Sequence, residues 1–265
     1  MARPFRQRRG IRVGLGAVAV LLALAVAAPS AQAAPSGRAT ARQAPSEAEN
    51  YVQWVYESLL FRSADSGGLA YWTALVEAHG PGPFVHYVVT SDEWRGVWVN
   101  AFYESIWLDR PADDGALAYW KNYLAANHGF DGFEAALGGS DEGYQLSGGT
   151  DLDYIDYVYN AAAFREPTAE EREDALEALA TGSTTEFVGS VLLSADGLGS
   201  RVEIAYERTL ARPAHPGGLA YWSTYFRQTG SMSQMLAAQI LSAEAWETAQ
   251  DPVVGPTELR SLVKR

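Results

Sequence analysis

Cysteine is absent from this chain of 265 residues. No disulfide can support the fold and no thiolate can act in it, so an apolar core must hold the chain together. Histidine is scarce: His79, His86, His128 and His215 are the only four, and none stands in His-Glu-x-x-His or another zinc spacing. There is no Gly-rich phosphate loop and no dinucleotide fingerprint, so no cofactor is expected. Gly139-Ser140-Asp141-Glu142-Gly143 is not a Gly-x-Ser-x-Gly elbow. Positive charge is also in deficit, with 20 Lys and Arg against 32 Asp and Glu and a net charge of −12. Nucleic acid and anionic lipid both need basic patches, so neither is expected as a partner. Past the N-terminus no apolar run reaches the roughly 20 residues of a membrane helix.

What the chain does contain is enough apolar material for a core, at 48% hydrophobic and 12% aromatic residues. Its N-terminus reads as an export signal over 1–33. Arg3, Arg6, Arg8, Arg9 and Arg12 precede the apolar stretch Val13 to Ala28, and Ala31-Gln32-Ala33 follows as an A-x-A cleavage site. Arg8-Arg9 raises the twin-arginine route, but its flanks fit loosely and ordinary secretory export is the expectation. Cleavage would remove five arginines and no acid, leaving 15 basic residues against 32 acids, or −17. The expected location is extracellular, with retention at the cell envelope as a variant of it. Residues 34–46 are small and polar and read as a flexible spacer. Residues 251–265 open with Asp251-Pro252 and read as a C-terminal tail or short docking helix.

Between these ends a phrase recurs. Residues 67–72 read Gly-Gly-Leu-Ala-Tyr-Trp, 115–120 read Gly-Ala-Leu-Ala-Tyr-Trp, and 217–222 repeat the first form. Arg62, Arg110 and Arg212 each stand ten positions before the tryptophan. Tyr56, Tyr103 and Tyr206 precede the arginines. Ser91 and Glu93, Ser140 and Glu142, and Ser242 and Glu244 follow as Ser-x-Glu. Arg165 marks a degenerate third copy that keeps Tyr159 and Ser194 but has lost Tyr-Trp. Spacings of 48, 55 and 47 between the four arginines suit helical supersecondary units. The expected fold is all-α: four tandem helical units of about 50 residues in one or two packed bundles. Units one and two would occupy 47–148 and units three and four 151–250, with Gly148-Gly149 as a hinge between the pairs.

Local signals place the helices. Ser46 with Glu49 and Thr168 with Glu171 have the spacing of capping boxes. Leu69, Trp72, Leu75 and Val76 share one helix face, as do Leu117, Trp120, Tyr123 and Leu124, and Leu219, Trp222, Tyr225 and Phe226. Gly80 and Gly230 suit helix C-termini. From Ser91 a helix should run without a break into the second unit, because no proline intervenes before Leu108.

The phrase Tyr-x-x-x-x-x-Arg, then Pro/Ala-Asp-x-Gly-Gly-Leu-x-Tyr-Trp, then Ser-x-Glu resembles the secreted bacterial family named domain of unknown function 4214. The resemblance covers about 47–250. Tyr56, Arg62, Asp65, Gly67, Leu69, Tyr71, Trp72, Ser91 and Glu93 carry it first. Tyr103, Arg110, Asp113, Gly115, Leu117, Tyr119, Trp120, Ser140 and Glu142 carry it again, with one residue inserted between Tyr103 and Arg110. Tyr206, Arg212, Gly217, Leu219, Tyr221, Trp222, Ser242 and Glu244 form the last copy, where His215 replaces the aspartate. The resemblance implies a helical module of exported or surface proteins and assigns no activity.

Three sets of residues invite a functional reading. Trp72, Trp120 and Trp222 lie on apolar faces and are expected in the core. Arg62 with Asp65 and Arg110 with Asp113 are expected to hold a helix-to-helix turn through an Arg–Asp contact and an Asp or Ser cap, since one or two carboxylates fall short of the six to eight oxygens calcium takes. Trp54, Trp98 and Trp107 fall outside the repeated phrase and are the candidate binding residues. The functional expectation is a non-catalytic helical-repeat protein that binds an extracellular glycan or a surface protein. Two alternatives stay open: a hydrolase of envelope polysaccharide using a carboxylate pair, and a calcium-responsive structural module.

Overall fold

Helices account for every regular element of the computed structural model, which describes residues 44–126 and 128–263. The expected signal segment and residues 34–43 of the spacer lie outside the described residues. The elements are α1 (Glu47–Leu60), α2 (Ser66–His79), α3 (Gly82–Thr90), α4 (Asp92–Phe102), a π turn (Tyr103–Trp107), α5 (Asp114–Ala125), α6 (Phe130–Gly138) and α7 (Asp141–Leu146). They continue as α8 (Asp151–Ala163), α9 (Ala169–Thr181), α10 (Thr184–Leu192), α11 (Ala195–Thr209), α12 (Pro216–Thr229), α13 (Met232–Ile240), α14 (Ala243–Thr248) and α15 (Leu259–Val263).

Most of these helices begin at a residue suited to the start. An N-cap side chain accepts a hydrogen bond from an otherwise unpaired N–H of the first turn. Ser46, Ser91, Ser140, Ser194, Ser231 and Ser242 do this with a hydroxyl, and Asp65 and Asp113 with a carboxylate. His215 does it through Nδ1, which accepts from Gly218 N–H at 3.1 Å. Thr168 with Glu171 and Ser183 with Glu186 form complete capping boxes. Gly80 and Gly230 end their helices with φ of 75° and 60°, a region open to glycine without Cβ strain.

The helix from Ser91 does run on to Trp107, but its last turn changes type. Tyr103 and Arg110 are separated by seven positions, whereas Tyr56 and Arg62 are separated by six. The extra residue is absorbed by the π turn, in which Leu108 N–H donates to Tyr103 O at 2.7 Å. An i→i+5 turn takes in one residue more than an α turn and leaves the following chain in phase. Arg110 therefore still reaches the Tyr103 ring despite the insertion, its guanidinium carbon 5.6 Å from the centroid.

The chain from Ala44 onward forms one compact body rather than a line. Its first helix meets its last ones: Tyr51 Oη donates to Ile240 O at 2.8 Å, Trp54 Nε1 to Thr209 O at 3.1 Å, and Arg208 Nε to Ser58 O at 3.0 Å. Elsewhere Phe130 N–H donates to Gly230 O at 3.0 Å. Gly148 and Gly149 do make a turn of positive φ, at 122° and 74°. The segments on its two sides pack together, with Tyr154 Oη donating to Gly138 O at 2.8 Å and α6 lying against α10. The glycine pair is thus a turn within a packed body, not a free hinge. The closing segment ends in α15, which buries Leu259 and Leu262 and lies against the π turn.

Among the described residues one charge pair lies fully inside. Glu134 of α6 and Arg201 of α11 are each 0% exposed. Arg201 Nε donates to Glu134 Oε1 at 2.7 Å, and a second bond joins Nη2 to Oε2. Trp107 Nε1 also donates to Glu134, at 3.2 Å, and Ser200 Oγ accepts from Arg201 Nη1 at 2.8 Å. Burial pushes the Glu134 carboxyl above its ordinary range, with the Arg201 charge acting against that push.

Candidate functional site

Each repeated arginine sits at a corner of the same construction. Phe61, Asp109, Phe164 and Ala211 immediately precede Arg62, Arg110, Arg165 and Arg212, and all four have φ between 49° and 57°. A residue with a Cβ is uncommon there, so four instances at one sequence position mark a turn imposed by the surrounding contacts. After the turn each guanidinium lies over the preceding tyrosine ring, 4.9 Å from Tyr56, 5.6 Å from Tyr103, 5.4 Å from Tyr159 and 5.1 Å from Tyr206. Nη1 donates to the carbonyl of the next residue, Ser63, Pro111, Glu166 or Pro213.

The acid that completes the corner is not the expected one. Arg62 and Arg110 were expected to hold Asp65 and Asp113, but they hold the glutamates of Ser-x-Glu. Arg62 Nε donates to Glu93 at 2.6 Å and Arg110 Nε to Glu142 at 2.5 Å, and Arg212 pairs with Glu244. Asp65 and Asp113 are engaged as N-caps, accepting from Gly68 N–H and Ala116 N–H at 2.9 Å each. A carboxylate turned toward its own helix N-terminus satisfies unpaired donors and meets the positive end of the helix dipole. The hydrogen bond from Gly68 N–H is the leading reason that the Asp65 carboxyl is held below its usual range. The arginine is left to a carboxylate 31 or 32 positions away. In the third corner Asp196 takes that place at 2.7 Å, and Glu171 adds a bidentate pair. These ion pairs are partly exposed, with arginine side chains at 36–41%. Each contributes at most about 1 kcal/mol. Their role is to fix geometry.

Trp54, Trp98 and Trp107, the candidate binding residues, cannot serve as a surface. They are 4%, 0% and 1% exposed. Their indole N–H groups donate to Thr209 O, Leu59 O and Glu134 Oε2. Helical spacing identified them as helix residues. Their burial depends on which helices close over them, and α11 covers Trp54.

The exposed aromatic groups among the described residues are instead the tyrosines of the repeated phrase, together with Tyr87 and, less so, Phe61. Tyr71, Tyr119 and Tyr221 are 63%, 59% and 62% exposed. Each stands edge-on to its own tryptophan, with centroids 4.8 Å, 4.8 Å and 4.9 Å apart and planes at 76°, 79° and 85°. Trp72, Trp120 and Trp222 are half-buried and pack on the core beneath. A second tyrosine flanks each tryptophan: Tyr87 at 4.8 Å from Trp72, Tyr123 at 5.3 Å from Trp120, Tyr225 at 5.4 Å from Trp222. The corner supports this arrangement from below. Trp120 Nε1 donates to Tyr103 Oη at 3.0 Å. In the last copy a Cβ on Gly218 would lie 2.1 Å from Tyr206 Oη, so glycine is what lets that tyrosine approach the helix. A residue one position before an inward-facing tryptophan is turned about 100° from it on a helix, and that signal was present in the sequence. Tyrosine offers a broad apolar face and a hydroxyl at low entropic cost, the properties that favour it at recognition surfaces.

A cleft of about 730 Å³ lies among α1, α4, the π turn and α15. Its most notable group is Arg208, which is 3% exposed. Burial pushes this guanidinium down to about 10. Its donors are nonetheless spent on the carbonyls of Glu57, Ser58 and Thr257, and the Phe61 ring centroid lies 4.2 Å from it. It ties the closing segment to the first helix. Among the described residues no three His, Asp or Glu side chains converge as a metal-ligand set.

Compared with family models, curated proteins and solved structures, the chain matches none. Among the described residues no helix is long and apolar enough to cross a membrane.

Proposed function

We propose that the chain is an exported, non-catalytic binding protein built from four tandem helical units, similar to the family named domain of unknown function 4214. Tyr71, Tyr119 and Tyr221 form its contacts with an extracellular glycan or a surface protein. One observation carries the reading. Three large aromatic side chains at one repeat position are left in solvent, each held at a fixed angle by a half-buried tryptophan. Exposed aromatics confer little stability, and aromatic side chains held in place beside solvent suit recognition. Three weak contacts on one body gain from avidity when the target is a polymer.

The test is co-sedimentation of the protein with insoluble envelope material, before and after that material is stripped of protein. The triple variant Tyr71→Ala, Tyr119→Ala, Tyr221→Ala should lose binding while its thermal unfolding stays close to that of the parent. Binding that survives stripping assigns a glycan, and binding that disappears assigns a protein. A triple variant that sediments as well as the parent overturns the assignment of these tyrosines.

A further inference from the structure

The first and second halves of the body are built alike, and a place where they differ is left as a groove. Tyr51 Oη donates to Ile240 O at 2.8 Å, and Tyr154 Oη donates to Gly138 O at 2.8 Å. Trp54 Nε1 donates to Thr209 O, and Tyr157 Oη donates to Trp107 O. Ser91 and Ser194 cap α4 and α11, and Trp120 and Trp222 hold the same place on α5 and α12. Counted from these residues, α4 against α5 in the first half corresponds to α11 against α12 in the second.

In the first half the two helices are bridged by charge. Lys121 of α5 pairs with Asp92 of α4, and Arg95 lies 3.7 Å from the same carboxylate. The lysine stem lies against the helix on its way, since a Cβ on Gly96 would stand 3.6 Å from Lys121 Cδ. In the second half Asp92 becomes Ala195, Arg95 becomes Leu198 and Lys121 becomes Ser223, while the glycine is kept as Gly199. No long side chain replaces the stem: the atom that a Cβ on Gly199 would meet is Leu219 Cδ2, at 4.0 Å. A groove of about 600 Å³ is left between α11, α12 and the corner at Phe164. That volume falls within the roughly 300–1,000 Å³ of ligand pockets. Ala195, Leu198, Leu219 and Phe164 give it an apolar lining.

The second half also gains a cation there. Where the first half has Ala125, the groove is lined by the exposed Arg227. Every other Lys and Arg among the described residues holds a carboxylate or a backbone carbonyl, whereas Arg227 makes neither an ion pair nor a hydrogen bond. The two acids at the groove are engaged elsewhere: Asp196 accepts from Arg165 Nε at 2.7 Å, and Glu203 accepts from Ala214 N–H at 3.0 Å. Leu219, Ser223 and Arg227 follow one another at intervals of four on α12, a stripe about 12 Å long with the charge at one end. We propose that this groove binds a free aliphatic carboxylate, its hydrocarbon chain lying over Gly199 where the first half has the Lys121 stem, and its carboxylate on Arg227. The guanidinium fork matches a carboxylate. The net charge of −12 repels an anionic bilayer, so the ligand is a single molecule and not a membrane surface. None of Tyr71, Tyr119 and Tyr221 lines the groove, so the proposal stands apart from the tyrosine surface.

The test is calorimetric titration of the full chain with sodium octanoate, 1-octanol and sodium acetate. Octanoate should bind in a saturable way, octanol more weakly, and acetate not at all. Arg227→Gln should weaken octanoate about two- to fivefold, the range for a partly exposed ion pair, and leave octanol unchanged. Ala195→Asp with Ser223→Lys rebuilds the bridge of the first half and should abolish both. Both positions of that double variant line the groove and the new aspartate falls in the first turn of α11, so the fold should be kept. The triple tyrosine variant should bind octanoate as the parent does, which separates failure of the surface reading from failure of this one. Absence of saturable octanoate binding overturns the proposal, and so does a double variant that binds as the parent does. Octanoate binding unchanged in Arg227→Gln overturns the carboxylate recognition. Sedimentation with phosphatidylglycerol vesicles that depends on Arg227 overturns the assignment to a free molecule.

Discussion

Breaking the buried pair of Glu134 and Arg201 should be far more damaging than replacing it whole. Both side chains are 0% exposed and joined by two hydrogen bonds. Glu134→Gln keeps the shape and an acceptor for Trp107 Nε1, but it leaves the Arg201 charge buried without its counter-charge. Arg201→Met leaves the carboxylate in the same position. Removing one partner of such a pair costs about 3–5 kcal/mol. A domain of this class has a total stability of about 5–15 kcal/mol, so either loss is easily measured. In the double variant no charge remains, the introduced amide can still accept from Trp107, and the introduced thioether chain fills much of the arginine's volume. Its loss should be about 3 kcal/mol or less, against a sum of about 6–10 kcal/mol for the single variants, so the coupling is several kcal/mol. The assay is urea unfolding followed by tryptophan fluorescence, with equal m-values required before midpoints are compared. Two results would refute the reasoning. Additivity of the single losses within about 0.5 kcal/mol would mean the groups are not coupled. A Glu134→Gln variant as stable as the parent would mean that burial keeps the carboxyl protonated, leaving no ion pair to break.

The remaining predictions concern the corners and caps. Glu171 is held down to about 2, chiefly by the hydrogen bonds from Arg165. Its folded value is depressed, so its contribution is fully present above the ordinary value of 4.5 and is lost as pH falls through about 2. Urea midpoints of the parent should therefore drop between about pH 5 and about pH 2.5, and Glu171→Gln should show a shallower drop; equal slopes would refute the assignment. His215→Ala removes the cap on Gly218 N–H and should cost about 1 kcal/mol in the same assay, whereas His215→Asp, the residue type of the first two copies, should match or exceed the parent. Gly138→Ala would place a Cβ 2.3 Å from Trp107 Cζ3 and should lower stability by about 1–3 kcal/mol. Gly82→Ala meets nothing within 4 Å and serves as its neutral or stabilising control.

Sequence reading went furthest where the physics is local. An N-cap, a capping box or a C-terminal glycine acts on atoms three or four residues away. Ser91, Thr168 with Glu171, and Gly230 could therefore be placed on their helices before any packing was known. The all-helical class followed from the same short-range periodicity. The one-residue insertion before Arg110 was equally visible, but its absorption as a π turn was not, because the sequence marks the extra residue and not the type of turn that holds it. The exposed tyrosines were within reach of helical geometry, since each precedes an inward-facing tryptophan by one position.

What lay beyond the sequence was decided by contacts between distant segments. Arg62 had a nearby aspartate and a distant glutamate, and only the path of α2 and α3 brought Glu93 to it while Asp65 turned to cap a helix. Trp54, Trp98 and Trp107 had no repeated partner in the sequence, yet the return of α11 to α1 and the meeting of α6 with the π turn enclosed them. Glu134 and Arg201 stand 67 positions apart and carry no local sign of each other. By itself the sequence determined most of the helices, many of their caps and the position of each corner arginine, because those depend on neighbours along the chain. The tertiary structure alone decided which acid meets which arginine, which tryptophans are enclosed and which tyrosines face solvent, because burial and pairing belong to surfaces that only the closed fold brings together.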